Sequence, residues 1–246
     1  MAYYYCDNVA HGPKPLIYQT ILPAPICLKC HNPTLPAQGV VRFNVAGDYD
    51  IVWHEVGGNL RLMMRVQVGA QVRQVLFPDD VLPYDTAAFA VNDNIPPPGG
   101  GQWFGGQISQ YAGGRMPGRN PPVLGPGINT TKLKLGQNAA NNGFGLAHIV
   151  NRHPQMLGTI VSAPAWPAGL DGLRDNLRGI TATPQAGLGI RWVAMQDNDR
   201  YVMHGVSPTH QHGMLIVSSA YSLVTAFSGT NMGGLGKNPV YVRDWR

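Results

Sequence analysis

The stretch GFGLAHIVNRHP, residues 143–154, decides how the second half of the chain is interpreted, because it combines apolar helix formers with three basic or titratable side chains. On a helical wheel of about 100° per residue, its apolar side chains fall on one face. They are Leu146, Ile149 and Val150. The spacing predicts an amphipathic helix over residues 143–153 that packs on a core through that face.

The polar side chains of this helix are unevenly placed. His148 lies opposite the apolar face, and Arg152 follows one helical turn later. A cation at that distance lowers the pKa of a histidine and can serve a phosphate. His153 falls within the apolar arc, but it precedes Pro154, and the residue before a proline tends to leave the helical conformation. We expect His148 and Arg152 to be functional residues, and His153 either to join them or to cap the helix.

Strands dominate the chain after this helix. Residues 168–178 have a weaker helical pattern, and the segments beyond them alternate apolar and polar positions as strands do. The predicted strands are 189–195, 200–206, 214–219 and 222–227. Helices followed by a four-stranded antiparallel sheet form an α+β domain, which we expect over residues 131–246.

The first half of the chain predicts a separate β-rich domain, residues 1–95, of unknown role. Residues 1–40 are rich in proline and irregular, whereas residues 39–77 predict a small antiparallel sheet of up to four strands. Residues 96–130 are rich in glycine and proline without periodicity, which is typical of a linker or an irregular wrap.

The net charge of +5 comes entirely from the second half of the chain. Residues 1–120 hold 8 Lys and Arg against 8 Asp and Glu, whereas residues 121–246 hold 10 against 5. This asymmetry indicates either a polyanionic partner for the second half or a simple solubility charge.

The sequence contains no run of about 18 apolar residues, which a membrane-spanning helix would need. The start of the chain lacks the basic and apolar regions of a secretory signal peptide. We therefore expect synthesis in the cytoplasm, no membrane insertion, and, if the protein leaves its cell, export by a route independent of such a peptide.

Three cysteines, Cys6, Cys27 and Cys30, cluster near the start of the chain. Cys27, Cys30 and His31 have the spacing of a covalent haem attachment site. A tetrahedral zinc site could use the three cysteines with either His11 or His31. Because the Cys6–Cys27 spacing is unlike a familiar zinc knuckle, we expect a disulfide or free thiols rather than a bound metal.

Two segments of the second half together resemble a superfamily of bacterial toxin ribonucleases, which includes barnase-like, EndoU-like, colicin-type and RelE-like enzymes. Residues 143–153 resemble its Gly-x-x-His-Ile-x-x-x-His helix, and residues 223–227 its late strand with a Thr-x-aromatic triplet. Residues 219–221, Ser-Ala-Tyr, are a rival for that triplet. The resemblance covers roughly residues 130–230 and implies an α+β fold in which a helix precedes a four-stranded antiparallel sheet.

The resemblance implies cleavage of RNA without metal or cofactor. A base would remove the proton of a ribose 2′-OH, and an acid would protonate the leaving 5′-oxygen. His148 and His153 would share these roles, and Arg152 would stabilise the charge on the phosphorane. Thr225 would donate a hydrogen bond to the phosphate or orient a histidine.

Substrate contacts and partners follow from the same resemblance. Phe227 or Tyr221 would stack on a base, and Lys237, in a glycine-rich loop, is a candidate phosphate contact. Such a toxin acts as an effector in competition between bacteria. It would reach the target-cell cytoplasm and be neutralised in its producer by a cognate immunity protein.

Glu55 is the only glutamate of the chain, so a glutamate base in the second half is impossible.

Two alternatives stay open from the residues alone. The first alternative is a non-enzymatic β-rich structural or binding module, for instance of a phage or secretion apparatus, whose His and Arg cluster only packs. The second is a metal-dependent hydrolase that uses His204, His210 and His212.

Overall fold

The structure is a computed structural model, and the account below concerns the residues that it describes. They are 2–11, 16–23, 25–36, 40–43, 49–56, 59–77, 92–104, 132–139, 143–157, 168–181, 189–195, 200–206, 213–218, 222–228 and 240–244. In this part of the chain the protein mixes a few helices with several antiparallel sheets.

A small three-stranded antiparallel sheet begins the chain, in a region that the sequence predicts to be irregular. Its strands are β1 (Ala2–Cys6), β2 (Leu16–Thr20) and β3 (Leu35–Pro36), in the order β2-β1-β3. A 3-10 helix, Val9–His11, lies between β1 and β2. Alternation of apolar and polar residues does not reveal this sheet. Its third strand, β3, has only two residues and ends on Pro36, and proline is rare within strands.

The predicted sheet of residues 39–77 has four strands in hairpin succession. They are β4 (Val40–Phe43), β5 (Tyr49–Val56), β6 (Asn59–Val68) and β7 (Gln71–Leu76). A fifth, much later strand, β10 (Ala168–Gly169), pairs in parallel with β7 and closes the order β10-β7-β6-β5-β4. Two short strands, β8 (Asn94–Ile95) and β9 (Leu133–Lys134), form a separate antiparallel ladder.

Two α-helices occur in the described residues. The predicted helix of residues 143–153 is α1, Gly145–Arg152, and a 3-10 helix, Pro154–Leu157, follows it directly. The second helix, α2 (Leu170–Ile180), starts two residues later than the pattern indicates and extends two residues further. Each of the two helices buries one apolar face.

The second large sheet has five strands where the sequence predicts four. The strands are β11 (Gly189–Met195), β12 (Arg200–Val206), β13 (Gly213–Ser218), β14 (Leu223–Ser228) and β15 (Val240–Asp244), in the order β14-β13-β12-β11-β15. All of its neighbouring strands are antiparallel. The additional strand, β15, follows the glycine-rich segment and pairs with β11. A strand of five residues is too short for the alternation of apolar and polar positions to distinguish it from an irregular segment.

One hydrophobic cluster joins the two large sheets and both helices. Ile51 and Met64 contribute from the first sheet, Leu223 and Ala226 from the second, and Ile149 from α1. Residues 1–95 and 131–246, predicted as two domains, therefore both contribute side chains to one hydrophobic cluster. The domain boundaries stay a prediction. None of the helices in the described residues is long and apolar enough to cross a membrane.

Candidate functional site

The segment 132–139 is hydrogen-bonded to both α1 and β14, the two elements that carry the candidate site. The N–H of Ala147 in α1 donates to Leu135 O at 2.9 Å, and the N–H of Leu223 in β14 donates to Lys132 O at 2.9 Å. The helix and the strand are thus bonded to the same short stretch of backbone. This explains how two elements about 70 residues apart in the chain meet.

Glycines set the start of α1 against that segment. Gly145 has φ +73°, and a Cβ at this position would lie 2.6 Å from Lys134 O. A Cβ at Gly136 would overlap the carbonyl of Phe144. Only glycine fits both positions, because a side chain would clash with backbone and, at a positive φ, would also be strained.

Gly143 has a direct relation to the first histidine. A Cβ on Gly143 would overlap Nδ1 of His148, so the imidazole lies in the space that the missing side chain leaves. Nδ1 is enclosed by protein and has no hydrogen-bond partner. Buried polar atoms are rarely left unpaired, and those that are often mark a functional site.

The second histidine leaves the helix where Pro154 requires it to. The N–H of His153 still donates to Ile149 O at 2.8 Å, but its φ of −134° and ψ of 48° are not helical. This turn places its ring edge-on to that of His148, with ring centroids 5.4 Å apart and planes at 72°. The two histidines, on opposite sides of an ideal helical wheel, are neighbours in the structure.

Strand β14 completes the site from the sheet. The ring of Phe227 lies 5.0 Å from that of His153, centroid to centroid, at a tilt of 31°. Thr225, two residues earlier, faces the same side of β14 by strand alternation. It is buried, and its hydroxyl has no hydrogen-bond partner.

Burial and a nearby cation both weaken the basicity of the histidines. Burial, and after it the charges of His148 and Arg152, together lower the pKa of His153 to about 4. The pKa of His148 is lowered by burial first and by Arg152 second. The Arg152 side chain is exposed. Both imidazoles are therefore neutral at pH 7 in the free protein, beside a guanidinium that faces solvent.

Arg73 of β7 fixes the end of α1 at which the histidines lie. Its Nη1 donates to Val150 O at 2.9 Å and to Asn151 O at 2.6 Å. A cation at a helix C-terminus satisfies free carbonyls and complements the helix dipole. Sequence reasoning missed this residue, because nothing in an alternating strand indicates which helix it will cap.

A second cluster of reactive side chains lies in the N-terminal sheet. One ligand-type atom from each of Cys6, His11, Cys27 and Cys30 lies within 4.8 Å of all the others. The cysteines are free, with Sγ of Cys6 and Cys30 3.5 Å apart. Of the two states expected from the sequence, a disulfide or free thiols, the structure has free thiols.

Several predicted residues lie outside the described part of the chain. Tyr221 and Lys237, proposed as substrate contacts, are among them. So are His210 and His212 of the metal-hydrolase alternative, and the rival triplet of residues 219–221.

The structure brings together His148, His153 and Phe227, with Arg152 on the same helix and Thr225 on the same strand. Such a set can exchange a proton and attract an anion. No known protein family, curated protein or solved structure matches the chain.

Proposed function

We propose that this protein is a metal-independent endoribonuclease toxin whose site is formed by α1 and β14. The observation that carries the proposal is the contact between the imidazoles of His148 and His153, 5.4 Å apart and beside an exposed arginine. Two adjacent histidines supply the base and the acid that RNA transesterification needs. An aromatic ring, Phe227, borders the same pair.

The reaction breaks the bond between phosphorus and the 5′-oxygen and forms a bond from phosphorus to the 2′-oxygen. One imidazole takes the 2′-OH proton, and the other gives a proton to the departing 5′-oxygen. The products are a 2′,3′-cyclic phosphate and a free 5′-hydroxyl. DNA lacks the 2′-OH nucleophile, so it is not a substrate.

The electrostatics of the site favour His153 as the base. Its pKa of about 4 keeps it neutral and able to accept a proton at pH 7. An acid must hold a proton, and an anionic phosphate bound beside the pair raises the pKa of His148 and offsets the charge of Arg152. The phosphate thus creates the proton donor that the free site lacks.

The surroundings of the pair support an RNA substrate. Arg152 can neutralise charge that develops on the non-bridging oxygens, and Thr225 holds a hydroxyl that has no partner in the free protein. Phe227 is half-buried, so one part of its ring can stack on a base. The net charge of +5 attracts a polyanion. A cognate immunity protein that covers this site in the producer, and delivery into the cytoplasm of a target cell, belong to the same proposal.

The test is incubation of the full chain with total RNA and with DNA in EDTA, alongside His148→Ala. We expect RNA to be cut with 2′,3′-cyclic ends, DNA to stay intact and the variant to be inactive. His31→Asn is the matched control, because it removes an exposed imidazole and suits the positive φ of 59° at that residue. Intact RNA with the wild-type chain, correctly folded by circular dichroism, would contradict the proposal.

A specific observation favours the non-enzymatic alternative as a second candidate. The segment between β2 and β3 exposes four large apolar side chains within eight residues, which is a feature of binding modules. They are Ile21, Leu22, Ile26 and Leu28. Under this alternative the histidines only pack, so His148→Ala changes stability but no RNA is cut by either chain.

A further inference from the structure

We propose that Cys6, His11, Cys27 and Cys30 bind one Zn²⁺ ion, which holds the N-terminal sheet of residues 2–36 together. This inference is independent of ribonuclease activity and concerns a different part of the molecule. It reverses the expectation from sequence, which favours a disulfide or free thiols.

The distances fit a tetrahedron around one ion. Sγ of Cys6 and Sγ of Cys27 each lie 3.4 Å from Nε2 of His11, and Sγ of Cys6 lies 3.5 Å from Sγ of Cys30. In a tetrahedral site with Zn–S of about 2.3 Å and Zn–N of about 2.0 Å, such atoms are about 3.5 to 3.8 Å apart. The four atoms are therefore close enough to one another to coordinate a single zinc ion.

The ligands come from three rigid local structures. Cys6 ends β1, and His11 ends the 3-10 helix that follows it. Cys27 and Cys30 lie on one turn, in which the N–H of Cys27 donates to Asn32 O and the N–H of His31 donates to Cys27 O, both at 2.9 Å. Such preorganisation of four ligands lowers the entropy that metal binding costs.

The same turn identifies the fourth ligand. His31 is the only residue other than glycine with a positive φ in the described part of the chain, and its side chain is exposed. His31 therefore contributes its backbone conformation to the turn, whereas Nε2 of His11 lies against the sulfurs of Cys6 and Cys27. The hydroxyl of Tyr18 lies 3.1 Å from Sγ of Cys27, where it can donate to a thiolate as outer partners of zinc ligands do.

Among the side chains that the structure describes in residues 2–36, the buried ones are Cys6, Cys27 and Thr34. Tyr3 and Tyr5 of β1 pack against the main hydrophobic cluster rather than around the thiols. Ile21 and Leu28 are each 81% exposed. A sheet this small is commonly stabilised by disulfides or a metal, and the cluster of thiols with His11 supplies the ligands for a metal.

Other occupants fit less well. A disulfide requires sulfurs about 2.05 Å apart and would use only two of the four groups. Haem attachment through Cys27 and Cys30 would need Cys27 to reach a macrocycle, yet Cys27 is 0% exposed. Three thiolates and one imidazole that fill all four positions are the donor set of a closed, structural zinc site.

The test is elemental analysis of the full chain, purified without a histidine tag and without added metal. We expect about one zinc per chain in the wild type, loss of zinc in Cys30→Ser and His11→Gln, and full occupancy in the control His31→Asn. Iron or copper in place of zinc, or zinc lost from His31→Asn but kept in His11→Gln, would overturn the proposal.

A second measurement uses only the wild-type chain, in case the variants do not fold. The rate at which a thiol reagent modifies the three cysteines is followed together with zinc release to a colorimetric chelator. We expect slow modification that accelerates at least tenfold once a strong chelator removes the metal. Three thiols that react at the same rate with and without chelator, in a chain that contains no zinc, would refute the site.

Discussion

The N-terminal sheet and the α1–β14 site each bring titratable side chains together, but the surroundings of the two clusters differ. Around His148 and His153, a large hydrophobic cluster supports the helix and strand that carry the polar groups. In residues 2–36, by contrast, the buried side chains that the structure describes are Cys6, Cys27 and Thr34, while Tyr3 and Tyr5 pack against the main cluster. Under our two proposals, the hydrophobic cluster positions the histidine pair in the first region, whereas a metal bound by the side chains stabilises the sheet in the second.

The largest expected effect is the removal of metal from the N-terminal sheet. Structural zinc contributes about 10 to 16 kcal/mol of apparent binding free energy at pH 7, so Cys27→Ser should unfold residues 2–36 while leaving α1 protected. Hydrogen exchange read by mass spectrometry measures the two regions in one experiment. Equal protection of residues 2–36 in wild type and variant would contradict the expectation that a metal stabilises this sheet.

The next effect concerns activity at the histidine pair. His148→Ala should lower the rate of RNA cleavage by about 10²- to 10⁴-fold, the range for loss of a general acid or base. Initial rates on a defined RNA measure it, with His31→Asn as the control. An unchanged rate would mean that the pair is structural, like the apolar residues beside it.

Gly143→Ala tests whether the fold positions the first histidine. The added Cβ would overlap His148 Nδ1, so we expect about 1–3 kcal/mol of destabilisation and about a 10- to 100-fold loss of activity from a displaced imidazole. Chemical denaturation and cleavage rates give the two numbers.

The control for that variant is Gly69→Ala, where φ is +59° but nothing lies within 4 Å of the new Cβ. It should cost about 1 kcal/mol and leave activity unchanged. If both variants lose activity equally, general destabilisation rather than the overlap with His148 explains the loss.

Arg73→Met tests the link between the first sheet and the end of α1. The variant keeps the aliphatic stem but loses two hydrogen bonds to Val150 O and Asn151 O, so we expect about 1–2 kcal/mol of destabilisation. Urea denaturation measures it. Arg178→Met, which loses exposed bonds to Gln102 O, should cost less, and an equal cost would argue against a capping role.

The smallest effect is a pH dependence of stability from His153. Its pKa is about 4 in the folded chain and 6.5 as an unperturbed group, so the unfolded state binds a proton first. Stability should therefore fall as the pH drops from about 6.5 to 4, by about 1–2 kcal/mol after allowance for partial solvent screening. His153→Asn should flatten this part of the curve, and an unchanged slope would contradict the assignment.

Much of the local structure was predictable, because it depends on periodicity. The strands of residues 39–77 and the helix at residues 143–153 follow from alternation and from one apolar arc. The strand β15 and the N-terminal sheet were not, since strands of two to five residues leave too short a pattern. His148 and Arg152 were predicted as outward-facing, and they are less buried than the apolar face between them.

The sequence by itself determined which groups this protein can use: two histidines and an arginine around Pro154, and three cysteines with two candidate histidines near the start. Tertiary structure decided which of them meet. The turn at His153 brings its ring beside that of His148, which an ideal helical wheel does not predict. Nε2 of His11 lies beside the thiols, whereas His31 is exposed. The physical reason is that periodicity describes directions within one element, whereas a site requires distances between elements, which only packing sets.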